Sequence, residues 1–256
     1  MHIRSRRTAI TVSTLTLAAS AVALTSGTAA SAQSSATIYV VQGLPSTTVD
    51  VLVDDKAVKT KVPGASLAGP FTVESGSRTV SFVSGGKELL TRSVTLKPGQ
   101  NTDLVLHLPV DPDAKPVLTQ FDNSLAAVPD DKAAVVVTHT AAVPPADVVV
   151  DGKVLFANIA NGESLSVVVP TATYSVKIVP AGESGPAVLG PVDLAVKGGS
   201  LNRVFAVGDP ASTTMRVVTQ VIDVPAKGSS AAPSRVDTGS GGQVAGYRPW
   251  VVPFAR

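Results

Sequence analysis

Two histidines and two groups of aspartates are the residues of this chain best suited to chemistry. His107 and His139 remain once His2 is set aside as part of a leader. Paired imidazoles near acids can hold a metal or move a proton. Neither lies in a His-x-His or His-Glu-x-x-His arrangement, so they read more simply as surface or junction residues, one late in a first repeat and one early in a second. Asp50, Asp54 and Asp55 recur downstream as Asp147 and Asp151. On a strand, residues four apart point the same way, so Asp50 and Asp54 could converge as a calcium site or an acid pair. The alternative is a solvent-facing strand residue followed by a turn aspartate that bonds backbone. Repetition favours the alternative, because a hairpin required by the fold recurs in both copies whereas catalysis needs one.

Other chemistries are thinly represented. The chain has no cysteine, which removes disulfides, thiolate metal sites and cysteine nucleophiles. Serines and threonines are common, but no Gly-x-Ser-x-Gly elbow is present, and a serine triad needs a histidine in a pocket. Gly85-Gly86 and Gly198-Gly199 fall between strand patterns and not before helices, so they are turns and not phosphate cradles. A net charge of +2 supplies no field for nucleic acid. The expectation is therefore no catalytic residue, no cofactor and no metal.

The elements that would position these residues are strands. Apolar residues make up 44% of the chain, largely Val, Ala and Leu, and Gly and Pro punctuate them. The chain also repeats itself. Ala36-Thr-Ile-Tyr-Val-Val-Gln42 matches Ala133-Ala-Val-Val-Val-Thr-His139, and Val49-Asp-Val-Leu-Val-Asp-Asp-Lys56 matches Ala146-Asp-Val-Val-Val-Asp-Gly-Lys153, both 97 positions apart. Val80 and Phe82 answer to Val176 and Ile178. Val117-Leu-Thr-Gln-Phe121 matches Val217-Val-Thr-Gln-Val221 at a spacing of 100, the drift falling in loops such as Glu183–Pro186. Asp54-Asp55 and Asp151-Gly152 are hairpin turns. Turns recurring every 8–12 residues predict an all-β protein of two tandem β-sandwiches, over 36–123 and 133–223, joined by a linker over 124–132.

Both ends lie outside this pattern. Arg4, Arg6 and Arg7 precede an uncharged stretch from Ala9 to Leu24, and Ala30-Ser31-Ala32 has the small-x-small form a signal peptidase accepts. Residues 1–32 therefore read as a secretory signal peptide cleaved after Ala32, with no transmembrane anchor in the mature chain. Residues 224–256 are rich in Gly, Ser, Pro and Ala and read as a flexible tail. Arg235–Gly239 lacks the Leu-Pro pair and the following apolar span of a wall-sorting signal. Near the end, Tyr247, Trp250 and Phe254 form an aromatic, Pro-rich segment that could dock on a partner or add to a sheet edge.

The order of these motifs resembles the bacterial domain-of-unknown-function family 4397, common in secreted actinobacterial proteins. An Ala-x-Val-x-Val strand, an Asp-Val-x-Val-Asp-Gly hairpin, Tyr174-Ser175-Val176, Pro180-Ala181-Gly182, a Gly-Gly turn and Ala206-Val207-Gly208 carry the resemblance. The second copy matches best; the first has Asp55 where Gly is usual and Arg78-Thr79 where Tyr is usual. The resemblance implies an immunoglobulin-like extracellular module and no activity. The resulting expectation is a secreted, extracellular or cell-wall-associated non-catalytic protein presenting two modules to an extracellular protein or a cell-wall glycan. A weak extracellular hydrolase or metal-dependent enzyme is the alternative, as is a secreted inhibitor docking through the tail aromatics.

Overall fold

The computed structural model describes residues 34–111 and 113–225. The segment expected to be a signal peptide, with Ala32, and the tail aromatics Tyr247, Trp250 and Phe254 lie outside the described residues. Every regular element among those described is a strand. The first eight are β1 (Ser35–Gln42), β2 (Val49–Val53), β3 (Lys56–Val62), β4 (Ser66–Glu74), β5 (Gly76–Ser84), β6 (Lys87–Leu96), β7 (Asn101–His107) and β8 (Val117–Asp122). The next eight are β9 (Lys132–Ala141), β10 (Ala146–Val150), β11 (Lys153–Ile159), β12 (Glu163–Pro170), β13 (Thr173–Pro180), β14 (Leu189–Ala195), β15 (Ser200–Gly208) and β16 (Arg216–Asp223).

The second set repeats the topology of the first. Sheets ordered β4-β1-β7-β8 and β3-β2-β5-β6 make one sandwich, and β12-β9-β15-β16 and β11-β10-β13-β14 make the other. In each, the first strand pairs in parallel with the seventh, β1 with β7 and β9 with β15. Alternation explains the layers, since inward residues such as Ile38, Val40, Val51, Val53, Leu104 and Leu106 build one interior and Val135, Val137 and Val148 build the other. These two interiors are separate clusters. A third, of Val41, Val105, Phe121, Phe205, Val207 and Val218, lies between the sandwiches. The sheets carrying β7 and β15 thus face each other, giving four stacked layers. β15 is buried along its whole length, because it has a layer on both sides.

Register corrects one sequence match. Leu106 pairs with Leu118, and its counterpart Ala206 pairs with Val217. The strands β8 and β16 therefore correspond at a spacing of 99, not 100. A shift of one residue exchanges the faces of a strand. Phe121 corresponds to Gln220, both turned toward the other sandwich, and not to Val221.

The repeated aspartates hold local backbone geometry. Asp50 Oδ1 accepts from the Lys61 N–H at 2.8 Å, and Asp147 Oδ1 from the Asn158 N–H at 2.7 Å. Lys61 and Asn158 both have positive φ, at the irregularities where β3 and β11 slip against β2 and β10. The carboxylate thus ties down an unpaired donor at a bulge. Asp147 also accepts from the Gly182 N–H, and the Gly182 and Asn158 donors together hold its pKa below the usual carboxylate range. Asp54 and Asp151 sit in the hairpin turns at positive φ and accept from the N–H groups of Thr79 and Ser175 in the neighbouring strands. Asp50 turns toward β3 and Asp54 toward β5, so the two carboxylates do not converge.

Candidate functional site

Two places merit attention: the junction between the sandwiches and the interior of the second one. The junction gathers the polar residues that hydropathy could not place. Asp103 on β7 and Arg203 on β15 occupy equivalent positions in the two copies and meet each other, with Arg203 Nε 3.0 Å from Asp103 Oδ2 and both side chains at most 2% exposed. Arg203 also donates from Nη1 to Asn123 Oδ1 at 2.5 Å and from Nη2 to Thr138 Oγ1 at 3.1 Å. Asn123 returns a bond to Asp103 Oδ1 at 3.0 Å. The Arg203 guanidinium lies over the rings of Phe205 and Phe121, 5.1 and 5.6 Å from their centroids. Burial raises the Asp103 pKa, and the Arg203 charge opposes that rise.

Both histidines are buried: His107 alternates with Asp103 and Val105 on the junction face of β7, whereas His139 alternates with Val135 and Val137 on the interior face of β9, near enough to His107 that a charge on one opposes a charge on the other. The His107 Nδ1–H donates to the Leu108 carbonyl at 2.8 Å, since a carbonyl can only accept. Its Nε2 accordingly accepts from the Thr119 hydroxyl at 2.9 Å. Burial pulls the His107 pKa down to about 4. His139 Nε2 donates to the Pro144 carbonyl at 3.3 Å. Its counterpart Gln42 donates from Nε2 to the Thr47 carbonyl at 2.6 Å, the same loop position 97 residues earlier. His139 is therefore a loop anchor that the first copy builds from glutamine, and His107 is a satisfied buried imidazole. Among the described residues no group of three or more His, Asp or Glu could hold a metal.

The junction is closely packed at Gly43, and at its rim a cavity of about 590 Å³ opens between Leu44, Pro45 and Leu108 of the first sandwich and Asp209, Ser212 and Thr214 of the second. A Cβ added at Gly43 would lie 2.7 Å from the Leu106 carbonyl oxygen and 3.1 Å from Val207 Cγ1 of the other sandwich. Gly43→Ala is expected to cost about 1–3 kcal/mol in chemical denaturation, as overpacking does; an unchanged midpoint would show that the junction yields.

The second interior is open. A cavity of about 450 Å³ is lined by Val135, Val150, Leu155, Val167, Val169 and Tyr174, among others, toward the β11 and β12 edges. Another of about 210 Å³, lined by Leu189, Val192, Ala206, Val217 and Thr219, reaches the β14 and β16 edges. They share Val137, Val148, Val176, Leu194 and Val204, so they form one apolar channel with two mouths. Its cause is legible in the pairings. Where the first sandwich packs Ile38, Phe71, Phe82, Leu96, Leu104 and Leu106, the second has Val135, Val167, Ile178, Val196, Val204 and Ala206. Each replacement is smaller, and close-packed interiors do not collapse fully around missing methylenes. The rims are apolar too, with Val154 at 56% and Val221 at 49% exposure.

Residues 36–146 match the family described as Domain of unknown function (DUF4397). The match spans the first sandwich and β9, reaching the first residue of β10; it does not itself show a second copy or the expected better fit of residues 133–223. No curated protein matches the chain. One similar solved structure is a "putative cell adhesion protein" from Bacteroides uniformis, at 11% identity, covering 75% of this chain and 100% of that one with a TM-score of 0.25. A likeness that weak carries no argument about function.

Proposed function

We propose that this is an exported, non-catalytic binding protein, secreted or held at the cell wall, built from two copies of the DUF4397 module. The first sandwich acts as a rigid support and the second takes an extended apolar segment of an extracellular protein. The observation that carries this reading is the apolar channel, open between β11 and β12. Concave apolar surface on a rigid scaffold is the usual form of a binding site. A protein segment is favoured over a cell-wall glycan because the lining is mostly apolar, its polar members being Asp151, Lys153 and Tyr174 toward the wide mouth and Lys177, Asp193 and Thr219 toward the narrow one. Sugars need convergent hydrogen-bonding groups that this lining lacks. Asp50, Asp54, Asp147 and Asp151, on which the hydrolase and metal-enzyme alternatives draw, accept bonds from backbone donors, which supports a structural role for them.

Anilinonaphthalene sulfonate added to the full mature chain should brighten on binding the channel. Val167→Phe, which installs the first sandwich's Phe71 at the wide mouth, should reduce the signal at least several-fold. No brightening with the wild-type chain would remove the binding reading. The same preparation, taken from culture supernatant, should have the mass of a chain beginning at Gln33; recovery only from cells with Met1 in place would remove export.

A further inference from the structure

The wide mouth of the channel lies between the outer edges of β11 and β12, each the end strand of its sheet. The first sandwich has the same two edges and blunts both, as proteins normally do with a strand edge. On β3 it places Lys56, Lys59 and Lys61. On β4, Gly69 and Pro70 interrupt the pairing with β1 between Ile38 and Val40. The second sandwich lacks these devices. Phe156 stands where the first copy has Lys59, and Val154 and Leu155 beside it are 56% and 40% exposed. β12 pairs with β9 over eight residues without a slip, and Ser166 alone occupies the place of Gly69-Pro70. Leu165, on the same face of β12 as the channel-lining Val167 and Val169, is 40% exposed.

The direction of the unpaired backbone groups follows from the ladder. Just beyond β12 the Thr171 N–H donates to the Asp131 carbonyl at 2.9 Å. Antiparallel pairing alternates, so Leu165, Val167 and Val169 turn their backbone groups to β9, and Ser164, Ser166 and Val168 turn theirs outward. The two ends of the mouth carry opposite charge. Glu163 opens β12 at one end and Lys153 opens β11 at the other, and neither has an ion pair among the described residues. Asp151, beside Lys153, is engaged by its own hairpin through the Ser175 N–H. An acyl chain could fill the channel but would leave the outward groups of β12 to water. An extended peptide uses both, because its side chains alternate while its backbone pairs.

We propose that the wide mouth takes its protein segment as an added antiparallel strand on the outer edge of β12, with large apolar side chains at every second position seated in the channel, a basic residue opposite Glu163 and an acidic one beside Lys153. The proposal rests on the reading of the channel as a binding site and adds how the segment is recognised.

The probe is the end-capped peptide Glu-Leu-Thr-Phe-Thr-Leu-Thr-Lys, added to the full mature chain. In this register its Lys faces Glu163, its Leu and Phe side chains lie beside Leu165, Val167 and Val169, and its Thr amides meet Ser164, Ser166 and Val168. It should bind by calorimetry and displace anilinonaphthalene sulfonate. N-methylation of the central Thr should weaken binding at least about tenfold, whereas N-methylation of the Phe, whose N–H points away from β12, should change it less than about twofold. Ser166→Pro copies Pro70 at an N–H that β9 does not use, and should weaken the peptide as much while leaving dye binding intact. Lys153→Glu should weaken the peptide, and a peptide beginning with Lys in place of Glu should recover the loss. Equal effects of the two methylations, equal binding of a reordered peptide with Leu, Phe and Leu adjacent, or indifference to Lys153→Glu would each overturn the proposal. So would a dimer that Ser166→Pro dissociates and the peptide does not, since a second copy would then occupy the edge. If the dye binds and the peptide does not, or dodecanoate alone displaces the dye, strand addition fails and the channel remains a binding site. If the dye does not bind, the reading of the channel itself fails.

Discussion

Arg203→Ala is expected to destabilise the protein by about 3–5 kcal/mol, the usual consequence of stranding one member of a buried ion pair. The carboxylate of Asp103 is fully buried, so its removal from water is compensated by the Arg203 charge and the Asn123 amide. Removing the guanidinium leaves a buried charge, an Asn123 oxygen without its donor, and an empty place against Phe121 and Phe205. Replacing both members, Asp103→Leu with Arg203→Met, should recover most of that loss, because apolar side chains of similar volume carry no desolvation cost. Urea denaturation of the three proteins at neutral pH measures this. If Arg203→Ala unfolds at the wild-type midpoint, the pair does not hold the sandwiches together.

Stability should also fall as pH drops from about 6.5 to about 4, by about 3 kcal/mol through His107 alone. The sign follows from the direction of the shift. In the unfolded chain the imidazole takes up its proton near the ordinary pKa of about 6.5. In the fold, burial delays that uptake to about 4. Between those values the unfolded state binds more protons, so acid pulls the equilibrium toward it; below them the loss is complete. His139, also held below its ordinary value by burial, acts in the same direction. Asp103 acts oppositely: its raised pKa favours the fold in acid and loses that contribution as pH rises. The test is therefore a difference. The stability gap between wild type and His107→Gln should change by about 3 kcal/mol between pH 7 and pH 4. His139→Gln, which copies Gln42 of the first sandwich, should fold normally and remove only its own share of the slope. A pH-independent gap for His107→Gln would show that the imidazole titrates freely.

The carboxylates show how far local sequence reaches. Asp50 and Asp147, four residues before a turn aspartate, were legible as structural because the same pair occurred in both copies. Their partners were not legible, since Lys61 and Asn158 sit at bulges whose positions depend on strand pairing. Repetition likewise disclosed the modules but placed β8 and β16 one residue out of register. Residue identity there favoured aligning Phe121 with Val221, whereas the fold aligns Phe121 with Gln220 to fill the junction. The channel could have been suspected by comparing Leu104 with Val204 and Leu106 with Ala206, but only if their inward direction were already known.

Composition, alternation and turn chemistry by themselves determined that this chain forms strands and that it does so twice. Those signals are local: a period of two and a residue able to take positive φ need no knowledge of the rest of the molecule. Which faces meet was decided only in three dimensions. Asp103 and Arg203 stand at the same place in two repeats, and nothing local says they are partners. An open interior in one copy and a filled one in the other likewise depend on volumes summed across two sheets, and no window along the chain contains both.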